Sequence, residues 1–210
     1  MEARFGRLAD STSRLPSPSL SPTRPAWRLE EATGRIVELS GWGASARLTA
    51  AFGLVLEAQQ QREPAAWVSL RGSSFFPPDA AAGGVDLASL TVVRVATARD
   101  AARAADQLVR SGGFGLAILD LAQAAARDVV PPPLLTRLLG LAQKHEAAVL
   151  ILTEKPASAP SLSSLVSLRA QARRTLRDGA WEVEVKVLKD KRRGPGATQM
   201  ETCRGPAGLR

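Results

Sequence analysis

With 210 residues, 45% of them hydrophobic, the chain has the length and apolar content for one full-sized domain plus tails. No uninterrupted apolar run approaches the ~20 residues needed to span a bilayer, and the first 25 residues lack the apolar core of a secretory signal, so no membrane or secretory role is expected. A formal net charge of +8 permits a nucleic acid or an acidic protein as partner, while the lone cysteine, Cys203, rules out an internal disulfide framework and fits a reducing, cytoplasmic compartment.

In chain order, residues 1–26 are rich in Ser, Pro and Arg without sustained periodicity, and read as a flexible arm. Trp27 to Thr33 is a short lead-in, with a helical turn docking Trp27 on a core domain that is expected to run over 27–193. Gly34 to Ser40 is a buried strand, because its apolar run is short and bounded by glycine. Leu48 to Gln61 carries Leu48, Ala51, Phe52, Val55 and Leu56 on one helical face, and Pro64 marks its stop. Ala65 to Leu70 is a second strand, followed by a loop, SSFFPPDAAAGG, and the short stretch Val85 to Leu90.

Thr91 to Ala96 is a third strand, and Thr97 to Gly112 a helix with Thr97 as N-cap and Gly112 just beyond its end. Gly115 to Leu121 forms a fourth strand with an acid, Asp120, near its end. A proline-ended loop leads to a helix over Leu134 to Lys144, and Ala147 to Thr153 is the fifth strand. After a Ser/Pro-rich loop, Lys155 to Ser164, and the stretch Leu165 to Gln171, Ala180 to Leu188 alternates apolar and charged side chains. Trp181, Val183, Val185 and Val187 fall on one face, as in a half-solvated antiparallel or edge strand. Residues 194–210 are Gly/Pro-rich and basic, and read as a flexible tail. Strands alternating with helices predict an α/β fold, a mostly parallel sheet flanked by helices.

Between the first strand and its helix lies GWGASARL, Gly41 to Leu48. A phosphate-binding loop reads G-x-x-x-x-G-K-[ST], with backbone N–H groups and a helix N-terminus converging on an anion. Gly41, Gly43 and Ser45 keep that frame. Ala46 stands where the second glycine belongs, Arg47 where the lysine belongs and Leu48 where the hydroxyl belongs. Two accounts of this stretch stay open: an ordinary strand–helix turn, or a residual anion site in which the Arg47 guanidinium meets phosphate. Lys189, Lys191, Arg192 and Arg193 form a second candidate site, a basic run for DNA phosphates or an acidic partner, or simply a solvated strand end. His145, at a helix end, and Cys203 read as bystanders, and no cluster has metal-ligand spacing.

The order of segments resembles RecA-type recombinases over about Gly34 to Pro195. GRIVELSG resembles the entry to the nucleotide loop, AILDLA carries the Walker B aspartate position at Asp120, VLILTEK corresponds to the strand ending in the sensing amide, and VEVKVLKDKRRGP to the last core strand with its lysine pair. The resemblance implies a RecA-like sheet. It also implies that the carboxylate polarising the attacking water is missing near Leu70 or Arg71, and that Glu154 faces the γ-phosphate as a repulsive anion. A short RecA-like core with a degenerate loop is similar to the ImuA family, also described as SulA-like. That likeness implies no catalytic residues, no cofactor and no metal. It implies an accessory role in SOS-induced translesion synthesis as an adaptor to an ImuB-type polymerase homologue, with RecA and an error-prone DnaE-type polymerase as further partners and a cytoplasmic, nucleoid-associated setting. The competing expectation is a nucleotide-dependent DNA-binding ATPase of the RecA class.

Overall fold

The computed structural model describes residues 27–43, 45–177 and 180–203. Residues 1–26 and 204–210, to which the arm and the end of the tail were assigned, lie outside that set.

Eight strands form one sheet in the order β3-β2-β4-β5-β1-β6-β7-β8. The first five in sequence are β1 (Arg35–Gly41), β2 (Ala65–Leu70), β3 (Leu90–Val95), β4 (Leu116–Asp120) and β5 (Ala148–Glu154). These five and the next, β6 (Leu168–Arg177), run parallel, while β7 (Ala180–Asp190) and β8 (Thr198–Cys203) add antiparallel strands. The expected mostly parallel sheet with antiparallel strands near the C-terminus is therefore present. β1 and β2 are buried along their whole length, as the near-continuous apolar runs require of strands covered on both faces.

Helices cover both faces. Val37 and Leu39 of β1 join a core built with α1 (Leu29–Ala32), α2 (Arg47–Gln60) and α3 (Pro77–Ala82). Ile36 points the other way, into a core with α4 (Ala98–Arg110) and α5 (Pro132–Lys144). The alternation follows from the two-residue period of a strand. Phe52, Trp67 and Phe75 form an aromatic trio in the first core, with centroids 5.0–5.9 Å apart. Thr97 caps α4 as expected, its side chain accepting the Asp100 N–H.

Three segments depart from the sequence reading. The loop SSFFPPDAAAGG contains α3, whose Pro77 and Pro78 occupy the first helical turn, where a missing N–H costs nothing. The arginine-bearing stretch after Leu168 is β6, which pairs with β1 on one side and β7 on the other. The assigned tail holds β8: Gly194 and Gly196, at φ +83° and +109°, turn the chain so that Thr198–Cys203 pairs with β7. The folded core thus extends past residue 193.

Candidate functional site

β1 ends at Gly41 in the centre of the sheet, and α2 begins six residues later at Arg47, so the broken loop sits at the carboxyl edge beside the ends of β5 and β4. This is where open α/β sheets bind ligands. The loop is drawn tight. A Cβ on Gly41 would meet Ser45 Oγ at 2.4 Å and Arg47 Cγ at 2.8 Å, so only glycine fits. Gly43 turns the chain at φ +60° with open space around it. Trp42 is largely exposed, and Ala46 offers no side-chain cap to α2.

Arg47 turns inward. Its side chain is about 10% exposed; Nη1 donates to Gly41 O at 2.8 Å and to Thr153 O at 3.3 Å, and Nη2 lies 3.4 Å from Glu154 Oε2. Glu154, expected to stand as a bare anion, is paired with that guanidinium. Leu48, in the hydroxyl position, packs against the first core instead of facing the loop. At the end of β2, Leu70 is buried and Arg71 exposed, so the edge holds no carboxylate at those positions.

Asp120 closes β4, fully buried. Its Oδ1 accepts the Ala122 N–H at 3.4 Å, a turn contact, while Oδ2 has no hydrogen-bond partner of normal geometry. Burial pushes this carboxyl above its ordinary value, with the Ser73 hydroxyl, the Ala122 amide and the Arg47 charge pulling the other way.

The basic run lies elsewhere, alongside the N-terminal half of β1. Asp190 pairs with Leu168 in the ladder, and Leu168 with Val37. Its cations are engaged internally: Lys191 Nζ donates to Ser164 O at 2.8 Å, Arg192 Nη2 to Thr33 O at 3.4 Å, and Arg193 Nη2 sits 2.6 Å from Glu31 Oε1. Burial, and then the neighbouring Lys191 charge, hold the Lys189 amine below its usual value, with Glu38 opposing and Arg169 adding to the shift. The two candidate sites are thus separate, one at the carboxyl edge and one beside the start of β1.

Among the charged groups that escaped the sequence reading, Glu38, flanked by Val37 and Leu39 in β1, is fully buried. It accepts the Thr153 hydroxyl at 2.9 Å and the Leu162 N–H at 2.9 Å, and lies 2.5 Å from Lys155 Nζ and 3.8 Å from Arg169 Nε. A carboxyl group in a buried strand requires such partners. Its presence in RIVELSG was the signal available.

Comparison with known proteins agrees with this geometry. Residues 30–131, from α1 to the start of α5, match the RecA N-terminal domain. Protein RecA of Clostridium acetobutylicum is 34% identical over 87 residues, 41% of this chain and 25% of the relative. That of a Picosynechococcus species is 36% identical over 87 residues with the same coverage. RecA of Lactobacillus acidophilus is 30% identical over 118 residues, 56% of this chain and 32% of its own. The chain spans a quarter to a third of the length of these relatives. The domain match ends before β5, so Glu154 and the basic run lie beyond it. Strand order and loop position are those of a RecA-like α/β fold, and residues 30–131 are similar to the RecA N-terminal domain.

Proposed function

We propose that the protein is a non-catalytic accessory factor of SOS-induced translesion synthesis, whose RecA-like core works as an adaptor. The observation that carries this reading is the Arg47 guanidinium, turned onto Gly41 O, Thr153 O and Glu154. Phosphoryl transfer needs a lysine on the phosphates, a metal-holding hydroxyl and an oriented water. Arg47 and Leu48 stand at the first two positions, and no carboxylate stands at Leu70 or Arg71. Removing one preorganised group typically costs about 10²–10³ in rate. With the chemistry gone, the surfaces remain.

The family resemblance names the partners: an ImuB-type polymerase homologue, RecA itself, and in the same assembly an error-prone DnaE-type polymerase, in a cytoplasmic, nucleoid-associated setting. Two surfaces suit such docking. β3 is the last strand at its side of the sheet, with Val92 exposed, an edge on which a neighbouring RecA-type chain can lay a strand. Lys189, Lys191, Arg192 and Arg193 would offer cations to DNA phosphates or an acidic partner, with Lys191, Arg192 and Arg193 exchanging their internal contacts for the new ones. The test is a pull-down of purified ImuB-type protein and RecA by the full chain, alongside equilibrium binding of ATP. Capture of either partner without ATP binding is expected; capture of neither, with RecA strand exchange unaltered, removes the adaptor reading.

Asp120 favours one competitor. A buried carboxylate with an unpartnered oxygen at a strand end suits the acid that holds a nucleotide's metal. In that reading the protein is a nucleotide-dependent DNA-binding ATPase, and ATP-stimulated DNA binding or hydrolysis abolished by Arg47→Ala would establish it.

A further inference from the structure

The contacts of Arg47 do not stop at its own loop. Gly41 O accepts from Arg47 Nη1 at 2.8 Å and also from the Lys155 N–H at 3.0 Å. Thr153 O accepts from the same guanidinium at 3.3 Å, and Glu154 pairs with it at 3.4 Å. Gly41 and Glu154 are register partners at the ends of β1 and β5. One side chain therefore bridges the carboxyl ends of two adjacent parallel strands at the point where the segment 155–166 departs.

That segment is fastened along its length by groups continuous with the bridge. Lys155 Nζ reaches Glu38 Oε1 at 2.5 Å and Pro160 O at 2.6 Å. Glu38 Oε2 accepts the Leu162 N–H at 2.9 Å, and Arg169 donates to Pro156 O at 3.1 Å and to Ala159 O. Glu38 in turn holds the Thr153 hydroxyl at 2.9 Å, which returns the network to the carbonyl that Arg47 touches.

The position of Arg47 is costly on its own terms. A cation in the first turn of α2 opposes the helix dipole. Two carbonyls and a carboxylate offset this, and those same acceptors join the loop to β5. We infer that Arg47 is a built-in clamp of its own loop: by donating to acceptors on both strands it holds the β1–β5 junction and the segment 155–166 in one arrangement with no nucleotide. The inference rests on the non-catalytic reading above. It adds that the order of this junction comes from the chain's own side chains.

Amide hydrogen exchange of the full-length protein tests this, comparing wild type, Arg47→Ala, Arg47→Lys and Glu154→Gln with and without Mg·ATP. In Arg47→Ala, amides in 155–166 should exchange faster by on the order of tenfold, from the lost hydrogen bonds, while α4 and α5 stay as in wild type. Arg47→Lys, whose ammonium cannot fork across two strands, should fall between, and Glu154→Gln should lose less than Arg47→Ala. Unchanged exchange in 155–166, or a change shared equally by α4 and α5, overturns the lock. If Arg47→Ala does not fold, Arg47→Lys decides by the same comparison. Wild-type exchange altered by Mg·ATP overturns the non-catalytic reading instead, and the variants without nucleotide still judge the lock.

Discussion

Arg35 Nη2 lies 2.5 Å from Asp190 Oδ1, and both side chains are buried, 155 residues apart in sequence. Arg35 also donates to Ser167 Oγ, Ser167 O and Glu31 O, so all three guanidinium nitrogens are engaged. Removing one member of a buried pair strands the other charge, at about 3–5 kcal/mol. Arg35→Ala and Asp190→Ala should each lower stability on that scale in urea titrations at pH 7.

The same pair sets a pH dependence. Burial alone would raise the Asp190 carboxyl, but the Arg192 amide, the Arg35 hydrogen bond and charge, and the Arg193 amide together hold it below its ordinary 3.8. For an acid with a lowered folded-state pKa, the stabilisation is present above the unfolded value and lost as pH falls through the folded one. Wild type should lose this contribution below 3.8, and Asp190→Asn, already without it at pH 7, should show a flatter acid limb in thermal melts across that range.

Asp120 carries the opposite sign. Its folded-state pKa is raised chiefly by burial, so the ionised form is a destabilising group at neutral pH. Asp120→Asn should raise stability by on the order of 1 kcal/mol at pH 7. The advantage should shrink as pH falls through the raised value, read as a converging pair of melting curves. Loss of a Mg²⁺-dependent melting shift in the variant would mark Asp120 as a metal partner instead.

Trp67 is fully buried between Phe52 and Phe75, and its Nε1 has no hydrogen-bond partner. Trp67→Ala should cost about 3–5 kcal/mol through the cavity it leaves. Trp67→Phe should cost clearly less in the same denaturant titration, because it also removes an unsatisfied buried donor.

Asp106 joins α4 to α5: Arg137 Nε lies 2.6 Å from Oδ1, and Arg110 of the same helix pairs with Oδ2. The carboxylate is buried while both arginines are half exposed. Asp106→Ala should therefore cost about 1–3 kcal/mol, and Arg137→Ala less than about 1 kcal/mol, since Arg110 still covers the acid. A double-mutant cycle measures the difference.

The parallel half of the fold was legible because β1, β2, β4 and β5 are short apolar runs bounded by glycine, proline or polar turns, and burial on both faces writes that pattern directly. β6 was not, because Arg169, Arg173 and Arg174 break the pattern; Arg169 is buried beside Glu38 of β1, more than 100 residues earlier, an arrangement that no local window contains. β8 was hidden by Gly194, Pro195 and Gly196, which read as disorder and act as a hairpin turn. At the site, sequence identified the residues that replace lysine and hydroxyl. It could not say that the Arg47 guanidinium folds back onto carbonyls, because that depends on β5 arriving beside β1 from more than 100 residues away.

The β1 position in the sheet carries a consequence for synthesis. β1 is made before the other seven strands of the sheet, yet its neighbours are β5 and β6, its buried Arg35 waits for Asp190, and the Trp27 N–H bonds to Gln199, 172 residues later. Contacts of such separation are formed slowly and late. On the ribosome the central strand stays uncompleted until nearly the whole described chain has emerged. During that interval its apolar edge is what a chaperone would meet.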